Sequence, residues 1–310
     1  MKTHLILKFC AVLLLCAALP AGAEQTYAER LGWGPEDRVL IINSDDIGMS
    51  LATNLATIES LEFGLVSSVS IMMTTPWVPH FVAYLEENPD VCAGLHLALT
   101  SEWVPYRWGP VAGKPAVPSL VDQQGALFRN NDLLYASGTP DDVEREIRAQ
   151  IDRAETLGLE ITHIDTHMGS LRRNPEYFDR WLKVGIEKQL PMRVWAELDR
   201  SEELWEGGLP VLDHIHSDSY NWKTRDKAEH YKQAFRELQP GLTEMIVHPT
   251  KPNEVIDVIT NNRELLYGDY FALTDPEVKQ VLEEEGIILT TWREVKERRE
   301  RVAAAESQEN

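Results

Sequence analysis

Short apolar runs alternate along this chain with segments whose apolar positions recur every three to four residues. The runs are RVLIINSD, LVSSVSIMM, VCAGLHLAL, ITHIDTH, MRVWAE, LDHIHS, TEMIVHP and IILTTW. Each has strand length and a share of β-branched residues. The clearest amphipathic segment runs from Pro140 to Leu157, with Val143, Ile147, Ile151 and Ala154 on one stripe. Thr139 fits its N-cap, Pro140 the first helical position and Gly158 the C-terminal glycine. Residues 174–188 and 226–238 read as further helices. Strands alternating with helices predict βαβ units, a largely parallel sheet and an α/β fold. Eight strand candidates suggest a single-domain barrel related to the (β/α)8 type, incomplete or distorted, with an open doubly wound sheet as the alternative.

The two ends depart from this pattern. Lys2 and Lys8 precede the run FCAVLLLCAALP, and Ala21-Gly22-Ala23 supplies a small-residue cleavage site. This is the form of a secretory signal peptide, so residues 1–23 are set apart from the fold and a periplasmic or secreted location is expected. Cys16 raises a lipoprotein signal as an alternative, but Leu15 is bulky where such signals carry a small residue. Residues 24–295 form the expected barrel, and residues 296–310 a flexible C-terminal tail after the start of a helix. No other run is long enough to span a membrane. Cys10 and Cys16 leave with the signal, so Cys92 remains without a disulfide partner. The formal charge of −20 becomes −22 without Lys2 and Lys8. Such acidity argues against nucleic acid and anionic membranes as partners.

Chemistry-bearing residues collect where the apolar runs end. Asp45 and Asp46 adjoin at the end of VLIINSD, on a strand rim where alternation sends the two carboxylates different ways. His96 lies just inside the strand end AGLHLALT, His248 closes the strand of MIVHPT, and THIDTHMG puts His163, Asp165 and His167 on one face. C-terminal strand ends share one rim in a parallel barrel, where active sites gather. An Asp and several His converging there match the donors of a divalent cation. Each feature alone has a plainer reading: a turn for the Asp pair, hydrogen-bonded packing for His163, His80, His214 or His216. The irregular stretch Thr100–Gly138 carries Trp103, Tyr106 and Trp108. These rings suit either stacking on a sugar or fastening of the loop. Arg172 and Arg173 follow His167 closely enough to steady substrate hydroxyls or a developing oxyanion.

INSDDIGMS, GLVSSVSIMM, GLHLALT, THIDTHMG and EMIVHP, in this order, resemble the YdjC-like carbohydrate deacetylases, and NNRELLYGDYFALTDPEVKQVLEEEGIILTTWREVK resembles the family's ending. The likeness runs from about Val39 to Val295. It implies a distorted TIM-like barrel and one divalent metal held by an Asp and two His, here Asp46, His96 and His167. It further implies that Asp45 is the general base and that His248 acts as acid or orients the substrate. Many members carry a second His two residues after the position of His167, where this chain has Gly169.

The expected reaction is hydrolysis of a carbon–nitrogen amide bond, with acetyl groups removed from N-acetylated sugars or oligosaccharides. Asp45 would take a proton from water and His248 would give one to the departing amine, while Arg172, Trp103 and Trp108 would contact the sugar. Imidazole-rich ligation favours Zn²⁺, with Mg²⁺ or Mn²⁺ as alternatives. Two other readings stand beside this one. The first is a different barrel metal hydrolase, acting on a phosphoester or a non-sugar amide, with Asp165 and His163 toward a second metal. The second is a non-catalytic exported glycan-binding protein.

Overall fold

A computed structural model describes residues 25–309. The expected signal peptide lies outside the described residues. The strands are β1 (Arg38–Ile47), β2 (Ser68–Ile71), β3 (Cys92–Leu97), β4 (Ile164–Thr166), β5 (His214–His216), β6 (Gly241–Val247) and β7 (Ile288–Leu289). All pair in parallel in the order β4-β3-β2-β1-β6-β5, and β7 pairs with Val39 and Leu40 at the start of β1. The fold is thus the expected α/β type with a curled parallel sheet. Val39, Leu40, Ile41 and Ile42 are all buried, because helices cover the sheet and leave no strand face to water. Among the described residues no helix is long and apolar enough to cross a membrane.

Seven of the eight apolar runs form strands. The exception is MRVWAE. The amide of Val194 bonds back to the Met192 carbonyl at 2.7 Å, a turn that breaks any regular ladder. The segment still bridges the sheet's two ends: Arg193 N–H donates to the Ile164 carbonyl, and Leu212 N–H donates to the Val194 carbonyl. An irregular segment therefore stands where an eighth strand was expected.

The helices follow their capping signals closely. Pro140–Thr156 begins at Thr139, whose side chain accepts from the amide of Asp142. Pro175–Lys188 begins at Asn174, which accepts from the amides of Glu176 and Tyr177. Each cap satisfies amides that have no partner inside the helix. The last helix runs from Trp292 to Glu309 and takes in most of the stretch expected as a flexible tail. Its Arg299 is buried, donates to the Trp205 carbonyl at 2.7 Å and lies 4.1 Å from the Trp205 ring. A cation packed in this way ties the helix to the body of the protein.

Polar side chains fill the inside of the sheet at mid-height. His163 is fully buried, its ring stacked on Trp292 at 5.2 Å, with Nε2 3.0 Å from Ser70 Oγ and Nδ1 3.0 Å from Thr162 Oγ1. Burial pushes its pKa down to about 3, so the ring is a neutral packing residue. Gly94 on β3 makes room for it: a Cβ there would lie 2.4 Å from the His163 ring and 2.6 Å from its carbonyl oxygen. Gly94→Ala is therefore expected to lower stability by about 1–3 kcal/mol through overpacking. Urea unfolding measures this, and an unchanged midpoint would mean that β3 and His163 are not in such close contact.

Candidate active site

The C-terminal end of β1 does not finish as a regular strand. Its register against β2 shifts between Ser44 and Ile47, and Asp46 has φ +67°. That left-handed residue overrides the expected alternation and turns both carboxylates toward His96. Asp45 Oδ2 lies 3.6 Å from His96 Nδ1, and Asp46 Oδ1 lies 3.3 Å from His96 Nε2. A second left-handed residue, Met168 at φ +54°, follows directly after His167 at the end of β4. His167 Nδ1 lies 3.2 Å from the same Asp46 Oδ1. Left-handed Asp and Met cost free energy and are held only where the surroundings fix them.

Asp46, His96 and His167 are all buried and present one ligand atom each to a common point. Asp46 Oδ1 completes no hydrogen bond with either ring. A tetrahedral cation bonded at about 2.0–2.1 Å keeps its ligand atoms about 3.3 Å apart, which fits the 3.2 and 3.3 Å separations here. Each imidazole also has a carboxylate on its far nitrogen. Asp165 Oδ1 lies 2.5 Å from His96 Nδ1, and Glu102 Oε2 lies 3.0 Å from His167 Nε2. Such carboxylate–histidine pairs orient metal ligands and raise their basicity. The residues present therefore fit a divalent cation.

The three groups shift one another's protonation. Burial alone would raise the Asp46 carboxyl, but His167 and His96 outweigh it and hold it well below the usual carboxylate range. Burial alone would lower both imidazoles. Asp45 and Asp165 instead raise His96 well above its usual value, and Glu102 and Asp46 raise His167 to about 9. A second grouping, Asp45, His96 and Asp165, also comes close enough to hold an ion. It is already served by a cation of the chain itself. Arg193 grips Asp45 with two bonds of 2.7 and 2.8 Å, meets Asp165 Oδ2 at 2.6 Å and donates to Glu244 at 2.8 Å.

Asp45 and His248 line a cavity of about 440 Å³ together with His96, His167, Arg172 and Tyr220. Asn43 and Arg193 both donate to Asp45 Oδ1, whereas Oδ2 takes one Arg193 bond and lies 4.0 Å from His248 Nε2. Burial keeps His248 below the usual imidazole range against the pull of Asp46 and Asp45. The Tyr220 ring stands edge-on to it at 4.5 Å. The His248 amide donates to Asp269 Oδ2 at 3.0 Å, and Asp269 also bonds the buried Lys227 and Tyr231.

Not every sequence candidate reaches this cavity. Trp108 is buried and meets His167 edge-on at 6.3 Å, so it backs a ligand ring and has no face free for a sugar. Trp103 packs against Trp108 and a small cluster containing Ile256, Ile259 and Leu265. Sequence reasoning gave no roles to Glu102, Arg193, Glu244 and Tyr220. An Arg inside the apolar run MRVWAE and a Glu inside TEMIV were the available signals, since buried charges need partners.

A buried Asp-His-His cluster at the C-terminal edge of a parallel β/α sheet, opening on a cavity with a further Asp and His, defines a metal-assisted hydrolase. The chain belongs to the YdjC-like protein family, which matches it over residues 39–284. A carbohydrate deacetylase of Thermus thermophilus is 30% identical over 284 residues, covering 87% of this chain and 97% of the relative. A chitooligosaccharide deacetylase of Yersinia enterocolitica is 27% identical over 274 residues, covering 83% and 98%. A solved protein of Enterococcus faecalis V583, provisionally described as a cellobiose-phosphate cleavage protein, superposes with a TM-score of 0.72 at 25% identity over 83% of this chain and 98% of that one.

Cation binding at this site must displace protons. The pKa of His167 is raised to about 9, so the ring is mostly protonated below that pH and must become neutral to act as a ligand. Zn²⁺ binding at pH 8 is expected to release about one proton or more per site, with affinity falling up to about tenfold per proton for each pH unit below 9. Calorimetry in buffers of different ionisation enthalpy measures this. Binding without proton release would remove His167 from the ligand set.

Proposed function

We propose that this chain is an exported carbohydrate deacetylase that hydrolyses the acetamido group of N-acetylated sugars. The observation that carries the reading is the Asp46–His96–His167 cluster, backed by Asp165 and Glu102 and open to the cavity beside Asp45 and His248. The names of the relatives agree with that chemistry. Export rests on the pattern of residues 1–23.

A divalent cation, Zn²⁺ by its imidazole donors or else Mg²⁺ or Mn²⁺, supplies polarisation of the acetyl carbonyl and a lowered pKa for water. The chain's own residues move the protons. Asp45 Oδ2, the less occupied of its two oxygens, takes the proton of the attacking water while Arg193 fixes its position. His248 is neutral at rest, because burial lowers its pKa. It lies 4.0 Å from Asp45, a gap that one bridging water spans, so the proton reaches it by way of that water and passes to the sugar nitrogen as the C–N bond breaks. Acetate and a free amine are the products.

The geometry weighs against the rival readings. A two-metal phosphoesterase needs a second ligand set. The two groupings among the described residues share His96, and Arg193 already holds both carboxylates of the second. A binding module has no need of buried carboxylates on both ligand histidines.

Acetate release from N-acetylated oligosaccharides is expected only with added metal. Asp46→Ala should abolish it, and Asp45→Asn or His248→Ala should each reduce kcat by about 10²–10⁴-fold. Full activity in Asp46→Ala would sink the assignment. Fractionation of expressing cells, with the mature N-terminus sequenced, tests export: Glu24 should be first, and retention of residues 1–23 in the cytoplasm would refute it.

A further inference from the structure

Seven of the nine tyrosines donate through their hydroxyl to an acceptor of the protein. Among the described residues the hydroxyls of Tyr84 and Tyr220 have no such partner. Tyr84 belongs to the helix Val78–Glu87 and does not line the cavity. Tyr220 does, together with Asp45, His96, His167 and His248. It is 39% exposed, and its ring stands edge-on to His248 at 4.5 Å. Burial, reinforced by Asp46, Glu102 and Asp45, raises its pKa well above normal. The phenol therefore keeps its proton, and nothing among the described residues accepts it.

The fold spends a buried charge pair on holding this residue. Tyr220 ends the single helical turn Asp218–Tyr220 after β5. Ser219 Oγ donates from that turn to the Ile246 carbonyl of β6 at 3.0 Å. Lys227 donates to the Ser219 carbonyl at 2.8 Å and to Asp269 Oδ1 at 2.7 Å. Asp269 Oδ2 in turn accepts the His248 amide. The side chains of Lys227 and Asp269 are fully buried, which costs desolvation. Gly268 makes room for the lysine: a Cβ there would lie 2.4 Å from the Thr224 carbonyl oxygen and 2.9 Å from Lys227 Cγ. One ion pair thus fastens the Tyr220 turn and the His248 strand end to each other.

Attack of water on an acetamide places negative charge on the carbonyl oxygen, and donors already aimed at that oxygen lower the barrier. In the reaction proposed above, Asp45 serves the water and His248 serves the nitrogen. The carbonyl oxygen has no donor from the chain. It shares one carbon with the nitrogen, so a side chain packed edge-on to His248 stands beside both. We propose that the Tyr220 hydroxyl is a catalytic residue that donates a hydrogen bond to the acetyl carbonyl oxygen as negative charge develops there. This role rests on the deacetylase reading and adds a donor of the chain itself to the polarisation that a bound cation supplies.

Tyr220→Phe keeps the ring and its contact with His248 and removes only the hydroxyl. Since that hydroxyl has no protein partner, the thermal unfolding midpoint and the Zn²⁺ affinity should stay at their wild-type values. For acetate release from an N-acetylated oligosaccharide, kcat should fall about 10²–10³-fold with KM little changed, as for a contact made in the transition state. A second arm, calorimetry on the metal-loaded protein, needs no turnover. Its probes are N-acetylglucosamine and the methylphosphonamidate of glucosamine, whose tetrahedral phosphorus and charged oxygens imitate the attacked acetamide. Tyr220→Phe should lose about tenfold or more of the affinity for the mimic and little of that for the N-acetyl sugar. An unchanged kcat, a raised KM alone, or equal loss of both ligands overturns the proposal. A wild type that releases no acetate counts against the deacetylase reading, and the mimic then judges Tyr220 by itself. Affinity that falls in Tyr220→Phe supports the donor, and affinity that does not fall overturns it.

Discussion

Arg193 is 5% exposed and lies among Asp45 of β1, Asp165 of β4 and Glu244 of β6. Three carboxylates brought this close in a buried interior would repel one another and lose their hydration. The guanidinium compensates by donating to Asp45 and Glu244 and pairing with Asp165, and the three in turn raise its pKa well above normal against the effect of burial. Glu244 gives most ground: burial lifts it to about 7 despite Arg193, so it carries a proton through much of the acidic range. The arrangement ties three strands to the irregular 192–197 segment. It also fixes two sides of the candidate site. Asp165, held by Arg193 and Ser70, sets the ring of His96, and Asp45, held by Arg193 and Asn43, faces the cavity with Oδ2.

Backbone strain is concentrated where the ligands emerge. Asp46 and Met168 are left-handed non-glycine residues next to or within the ligand set. The turn after Asp46 is secured by Asn54, which accepts from the Gly48 amide at 2.8 Å. Gly48 has φ +91°, and a Cβ there would lie 2.7 Å from Val78, so two helices close on a turn that only glycine fits. The strained Asp46 is thus held from outside by packing and from inside by His96 and His167. This is the over-determination needed to keep a costly conformation populated.

The pattern of the sequence located the scaffold because apolar runs and capping residues are local signals. Thr139, Asn174 and the Asp45 strand end behave as their neighbours predict. Asp46, His96, His167 and His248 converge because parallel strands deliver their ends to one rim. The bend at Asp46 was not legible, since strand alternation predicts opposite directions and only tertiary packing reverses it. The partners Glu102, Arg193 and Glu244 were not legible either. Their contacts join residues 51 to 148 positions apart, beyond any local pattern. Residues 192–197 read as a strand by composition, yet the turn from Val194 to Met192 leaves them only isolated bridges to Ile164 and Leu212.

In the aromatic stretch after β3 the rings fasten the loop, one of the two readings that its composition allowed. Trp103, Tyr106 and Trp108 form a mutually packed set with ring centroids 5.9–6.3 Å apart, and Trp108 presses on His167 from behind. Glu102, from the same stretch, takes the far nitrogen of that histidine. This loop therefore completes the wall behind His167. The open side of the cavity is formed instead by the 168–173 turn and by Ser217, Tyr220 and Asn221 after β5. One loop backs the candidate site while others line the cavity. Differences in sugar preference should then lie in the Gly169–Arg173 turn and at Ser217 and Asn221 beside Tyr220, which can vary without disturbing Asp46, His96 and their carboxylate supports.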